Sequence, residues 1–150
     1  MSSSPPESAA ELKARALRLL ARREHSRDEL ARKLSPHAES PESLEAVLDF
    51  LVSKKSLSNE RFAEVRAQWL ARKYGAAMIR RDLESKGVEQ HLLERVSTEG
   101  ELQHARAILA RKYRVPATTR EERAKRARFL QGRGFSVDVI RRLVLRPEEV

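Results

Sequence analysis

Four histidines, His25, His37, His91 and His104, are the side chains of this 150-residue chain best suited to bind a metal or move a proton near neutral pH. Their spacing places no two of them as a close pair, and no HExxH arrangement occurs. Cysteine is absent, which removes thiolate ligands, thiolate nucleophiles and disulfides together. All four therefore read as surface or partly buried residues. Gly132-Arg133-Gly134 lacks the further glycine and the Lys-Ser/Thr pair that a phosphate-cradling loop requires, so it reads as a helix stop followed by a turn. The acidic pairs Asp28-Glu29 and Glu121-Glu122 fall in the first turns of predicted helices, where carboxylates suit the positive end of the helix dipole. Trp69 has a ring that can stack on a base, but its spacing from Phe62 and Val65 marks it as a core anchor. No catalytic residue, cofactor site or metal site emerges, and the chain does not read as an enzyme.

The surface chemistry that does stand out is positive charge. Lys and Arg number 31 against 22 Asp and Glu, a formal charge of +9, and the excess is uneven. Residues 1–57 carry +1, residues 58–98 carry +2 and residues 99–150 carry +6. Between 106 and 133 there are ten Lys or Arg against two Glu, more than solubility requires, which points to an anionic partner. Aromatic residues are few and sit at helix-packing spacings, which argues against a platform for stacking single-stranded bases. If nucleic acid is bound, contacts to phosphate should dominate and binding should weaken with salt.

These cations are positioned by a repeat. Leu70-Ala71-Arg72-Lys73-Tyr74 recurs as Leu109-Ala110-Arg111-Lys112-Tyr113, 39 residues later, with a weaker echo at Leu20-Ala21-Arg22-Arg23-Glu24. Arg72-Lys73 and Arg111-Lys112 thus occupy matching helix ends. The periodicity is helical throughout. Leu12, Ala16, Leu19 and Leu20 share a face; Ser26-Arg27-Asp28-Glu29 opens a short second helix as a capping box; Ser40-Pro41 starts a third with Leu44, Val47, Leu48 and Leu51 in one stripe. Ser58 or Asn59 caps a fourth helix with Phe62, Val65 and Trp69 on one face, closed at Tyr74-Gly75 by a left-handed glycine. Ala76, Ile79 and Leu83 form a fifth stripe ended by Gly87, and Val88, Leu92 and Val96 a sixth. The last three helices carry Leu102, Ala105, Leu109 and Tyr113; then Ala124, Ala127 and Leu130 behind a Thr118 or Thr119 cap; then Val137, Ile140, Leu143 and Val144 behind Ser136.

The fold class expected is all-α, in three tandem three-helix repeats of helix-turn-helix type. The boundaries are a Ser- and Pro-rich disordered tail over residues 1–10, then units at 11–57, 58–98 and 99–150, with order ending at Arg146-Pro147. No apolar run approaches the roughly 18 residues of a membrane span. With the missing cysteine, this suggests a cytoplasmic protein that has no membrane partner.

Several ordered stretches together resemble one family. Arg23-Glu24-His25-Ser26-Arg27-Asp28-Glu29-Leu30, then Leu57-Ser58-Asn59-Glu60-Arg61-Phe62-Ala63, then Tyr74-Gly75 with Ile79, Leu83 and Lys86-Gly87-Val88, and finally Phe129-Leu130, Arg133-Gly134-Phe135-Ser136 and Ile140 resemble the bacterial RecX regulatory proteins over about residues 12–145. The resemblance implies an elongated, curved stack of helical repeats that binds the RecA recombinase filament. It further implies inhibition of ATP hydrolysis, strand exchange and filament extension, with a role in recombination, DNA repair and the SOS response, and no catalysis of its own. On physical grounds the partner-binding residues expected are Arg72, Lys73, Arg80 and Arg81, with Arg111, Lys112, Arg126 and Arg133, in a monomer that also touches DNA in a weak, salt-dependent way. The competing reading is a RecA-independent helical protein that binds DNA without regard to sequence.

Overall fold

The structure, a computed structural model, describes residues 5–146. Among them are nine α-helices and one 3-10 turn, with a single isolated bridge between Glu7 and Ala38 and no strand. The helices are α1 (Ala9–Arg22), α2 (Arg27–Leu34), α3 (Pro41–Ser53), α4 (Asn59–Leu70), α5 (Ala76–Ser85), α6 (Gln90–Leu93), α7 (Glu101–Lys112), α8 (Arg120–Gly132) and α9 (Val137–Leu143), with the 3-10 turn at Ser35–His37. No helix is long and apolar enough to cross a membrane among the described residues.

Two compact units form. One gathers the described residues up to Val65 with Glu84–Leu92, and the other gathers Arg66–Leu83 with the described residues from Leu93 onward. Residues 58–98, expected to make a middle unit, are divided between the two.

In the first unit the apolar stripes of α1, α2 and α3 close over Leu12, Ala16, Leu30, Leu34, Val47, Leu48, Leu51 and Leu57, all buried. The helices begin where hydroxyl caps are available. Ser8 and Ser26 each form a full capping box, with Glu11 and Glu29 returning the bond, and Ser40 accepts from the Ser43 N–H at 3.0 Å. Residues 5–10 correct the expectation of a disordered tail. The Glu7 N–H donates to the His37 carbonyl at 2.8 Å, Glu7 pairs with Arg15, and Ser8 is the cap of α1. The Arg15 guanidinium bonded to Glu7 holds its carboxyl below the usual range. Composition hid this because the ordering groups are one carboxylate and one hydroxyl. Residues 1–4 of the expected tail, and Pro147, lie outside the described residues.

His25 is buried to 1% exposure, where the sequence suggested at most partial burial. Its Nδ1 lies 3.0 Å from the Arg23 carbonyl and its Nε2 lies 2.9 Å from the Lys33 ammonium, so the neutral ring donates through Nδ1 and accepts at Nε2. Burial, with Arg23 and Lys33 close by, pushes its pKa down, although Glu29 and the bond to Arg23 pull the other way. A histidine with a depressed folded pKa leaves the unfolded chain binding the extra proton, so its contribution is intact above about pH 6.5 and is lost as pH falls below that value. The stability gap between the natural chain and a His25→Gln variant, measured by urea unfolding, should therefore shrink from pH 7.5 to pH 5. A gap that stays constant would mean His25 protonates as readily folded as unfolded.

In the second unit α7, α8 and α9 bury Ala105, Ile108, Leu130, Phe135, Val139 and Ile140. Thr119 and Ser136 cap α8 and α9 through the Glu122 and Val139 N–H groups. The Thr118 N–H donating to Glu122 holds that carboxyl below its usual range, as suits the first turn of a helix. Val137, expected inward, is 59% exposed, and Val139 takes its place in the core.

Glycine contacts join α5 to the turn after α8. The Gly75 N–H donates to the Arg133 carbonyl at 2.8 Å, and the Ala77 N–H to the Gly134 carbonyl at 3.3 Å. A Cβ on Gly75 would fall 2.5 Å from the Gly134 oxygen, so Gly75 is required for close approach and not for the left-handed conformation expected of it. Gly134 is left-handed, at φ +90°.

The expected stripe of α4 is corrected. Phe62 is buried, but Val65 is 56% and Trp69 55% exposed. The buried arc instead runs through Phe62, Ala63 and Leu70 with Arg66 and Ala67 half-buried, which turns the helix away from Trp69 by part of a turn. Arg66 sets that rotation. Its Nε and Nη2 reach Asp82 on α5 at 2.9 and 3.1 Å, a bidentate pair that occupies the face an apolar stripe would have used.

Candidate partner-binding surface

Helix ends build the candidate surface, because the last carbonyls of a helix lack intrahelical partners and favour cations. The chain leaves α4 through Arg72-Lys73-Tyr74 and ends α7 with Arg111-Lys112-Tyr113. Within the second unit these two copies of the repeat meet directly: Arg111 Nη2 donates to the Arg72 carbonyl at 2.9 Å. Lys73, Tyr74, Ile108, Arg111, Lys112, Phe129 and Arg133 line one hollow, four cations with no carboxylate among its walls.

Rings hold these cations in place. Arg133 stacks on Tyr74 at 5.3 Å and on Phe129 at 5.2 Å from the ring centroids, and Lys112 lies 4.5 Å from the centroid of Phe129. Arg126 stacks on Tyr113 at 4.4 Å and donates to the Val115 carbonyl at 2.8 Å, while Tyr113 meets Phe129 edge-on at 6.2 Å. A ring face attracts a guanidinium or ammonium without neutralising it, so each cation is oriented while its charge stays available.

Of the eight expected residues, the structure brings Lys73, Arg111, Lys112 and Arg133 to this hollow, ties Arg72 to it through its carbonyl, and sets Arg126 on the neighbouring ring. Arg80 and Arg81 do not line it. Arg80 is half-buried and donates to the Val96 carbonyl at 3.3 Å, a bond to the segment that follows α6, whereas Arg81 is exposed. Sequence reasoning missed the rings. Helix-packing spacing explains Tyr74, Tyr113 and Phe129 without their cation contacts, although a lysine directly precedes each tyrosine in the repeat and is the available signal.

Carboxylate pairing is uneven among the cations. In the first unit, Arg15 pairs with Glu7, Arg23 with Glu29, Arg27 with Glu45 and Asp49, and Arg61 with Glu24. None of the eight candidate residues of the second unit makes a salt bridge to a carboxylate among the described residues, although Arg126, after the Thr118 N–H bond, helps hold the Glu122 carboxyl low. Four arginines of the first unit are thus bonded to carboxylates, as are Arg66 and Arg142 of the second, whereas the four cations of the hollow have no carboxylate among its walls. No group of three or more His, Asp or Glu is arranged to hold a metal ion among the described residues.

Fold and surface together define an all-helical protein of recurring three-helix elements that carries cations at recurring helix ends. Comparison with known proteins identifies which. Residues 13–51 match the family model described as RecX, first three-helix domain, and residues 99–144 match RecX, third three-helix domain. The chain is 42% identical over 142 residues to the regulatory protein RecX of Ralstonia nicotianae, covering 93% of this chain and 89% of that protein. It is 44% identical over 137 residues to that of Leptothrix cholodnii, covering 89% and 87%. The crystal structure of RecX from Lactobacillus salivarius has the same fold, with a TM-score of 0.80 at 18% identity over 95% of this chain and 97% of that one. This chain belongs to the RecX family of regulatory proteins.

Proposed function

We propose that this protein regulates the RecA recombinase by binding its filament through the cationic surface of the second unit. Bound there, it inhibits ATP hydrolysis, strand exchange and filament extension, and so modulates recombination and DNA repair. The observation that carries the reading is the hollow in which Lys73, Arg111 and the ring-held Lys112 and Arg133 meet with no carboxylate among its walls, with the ring-held Arg126 beside it. Membership in a family of regulatory proteins supports a binding role for that surface over a catalytic one. Several charges on one unit add up without any of them being individually strong, which suits a modulator that must be displaced again.

The same cations suit phosphate, so the test carries a control. RecA ATPase activity on single-stranded DNA, titrated with this protein, should fall at concentrations and salt where the protein leaves bare DNA unbound. An unchanged ATPase rate together with tight, steeply salt-dependent binding to bare DNA would instead establish the RecA-independent DNA-binding reading.

A further inference from the structure

Trp69 is the one tryptophan of the chain and stands 55% exposed on α4. With Leu70, Tyr74 and Met78 it walls a hollow of about 510 Å³ in the second unit, completed by Arg66, Arg72, Lys73 and Asp82. Asp82 holds Arg66 in the bidentate pair described above, and that guanidinium lies 5.4 Å from the centroid of the Trp69 ring. Arg66 and Asp82 cancel, so the net charge of the lining comes from Arg72 and Lys73, both exposed. Lys73 and Tyr74 also line the cationic hollow, so the two are neighbours with a shared wall.

We propose that the Trp69 hollow is the apolar anchor point of the partner interface, and that it receives an aliphatic or aromatic side chain carried on an acidic segment of the protein partner. This rests on the reading of the second unit as the filament-binding surface. An indole left in water beside leucine and methionine is costly unless something covers it, and tryptophans ringed by polar groups are where interfaces concentrate their binding energy. Met78 has the flexible thioether chain that adapts to an incoming side chain. Charge complementarity sets the segment: carboxylates flanking the inserted side chain meet Arg72 and Lys73.

The test uses the full chain and RecA filaments assembled on single-stranded DNA, with binding measured by co-sedimentation. Trp69→Ala should weaken binding by about 30-fold, the factor that corresponds to a hot-spot loss of about 2 kcal/mol. Trp69→Phe should recover most of it, and both variants should keep the helical circular dichroism and melting temperature of the natural chain. Oligo(dT) added to the natural chain alone should leave tryptophan emission unchanged, and sedimentation should give the same mass for the natural chain and Trp69→Ala. Trp69→Ala binding filaments as tightly as the natural chain would overturn the anchor. Quenching by oligo(dT) would assign the hollow to a base, and a mass that falls in the variant would assign it to a second copy of this chain; either overturns the proposal. If reversal of Arg111 and Lys112 also leaves filament binding unchanged, the interface reading fails with it, whereas loss in that variant alone removes only the Trp69 anchor.

Discussion

Gly134→Ala is expected to destabilise the protein by about 3 kcal/mol and to lower its melting temperature by roughly 10 °C. Two costs combine. Gly134 sits at φ +90°, where an L side chain is strained, and a Cβ there would fall 2.6 Å from both the backbone nitrogen and the Cβ of Met78. Neither atom is the free end of a flexible chain, so relief means prising α5 away from the turn after α8 and stretching the bonds from Gly75 to Arg133 and from Ala77 to Gly134. Gly132→Ala two residues earlier is the control, since a Cβ at that position meets nothing within 4 Å and the φ is ordinary. That variant should melt at or slightly above the natural temperature. Thermal unfolding followed by circular dichroism separates the two, and equal melting temperatures would mean the glycine contact is not what joins α5 to the turn.

The same contact bears on the candidate surface, because the Arg133 carbonyl accepts from the Gly75 N–H while its guanidinium stacks on the faces of Tyr74 and Phe129. A loosened turn would move the cation along with the backbone. A backbone contact and two ring contacts thus meet in one residue, of which the sequence shows only the charge.

Helix starts were the most legible part of the fold. Ser26, Ser40, Thr119 and Ser136 act as caps, because a hydroxyl before an apolar-periodic run satisfies an N–H that nothing else in the sequence neighbourhood reaches. The face of α4 was not legible. Phe62, Val65 and Trp69 have helical spacing, but the partner that rotates the helix is Asp82, sixteen residues away, and periodicity does not register a long-range ion pair. Gly75 was placed correctly at a boundary for the wrong reason, since its requirement comes from Gly134 on the far side of α8.

The residues that carried the family resemblance turn out to interlock. Within the first unit Glu24 pairs with Arg61, the Arg27 N–H donates to Asn59 at 2.8 Å, Asn59 donates to Glu89 at 2.6 Å, and a Cβ on Gly87 would collide with Asp28. These contacts set helix against helix. A resemblance read from such positions speaks first to the scaffold, and the binding surface has to be found from charge, ring contacts and the repeat.

Reversal of both charges in Arg111→Glu/Lys112→Glu is expected to weaken RecA-filament binding by about 100-fold at low salt, with the loss shrinking as salt is raised. Both side chains are exposed and lie in a hollow with no carboxylate of its own, so reversal replaces two attractions by two repulsions against an anionic partner. Their structural contributions are small by comparison. Arg111 gives up one exposed bond to the Arg72 carbonyl and Lys112 its ring contacts with Phe129 and Tyr113, together about 1 to 2 kcal/mol of folding stability. Two negative charges in the last turn of α7 also oppose its dipole, which the neutral pair Arg111→Gln/Lys112→Gln avoids. The glutamine variant should therefore fold like the natural chain and bind at an intermediate strength. The reversal Arg23→Glu serves as the reference, because Arg23 is bonded internally to Glu29 and belongs to the paired set of the first unit. It should lower stability with little effect on the filament. Equal losses of binding from the two reversals would mean that net charge alone draws the protein to its partner, and that the ring-held cations of the second unit have no particular part in it.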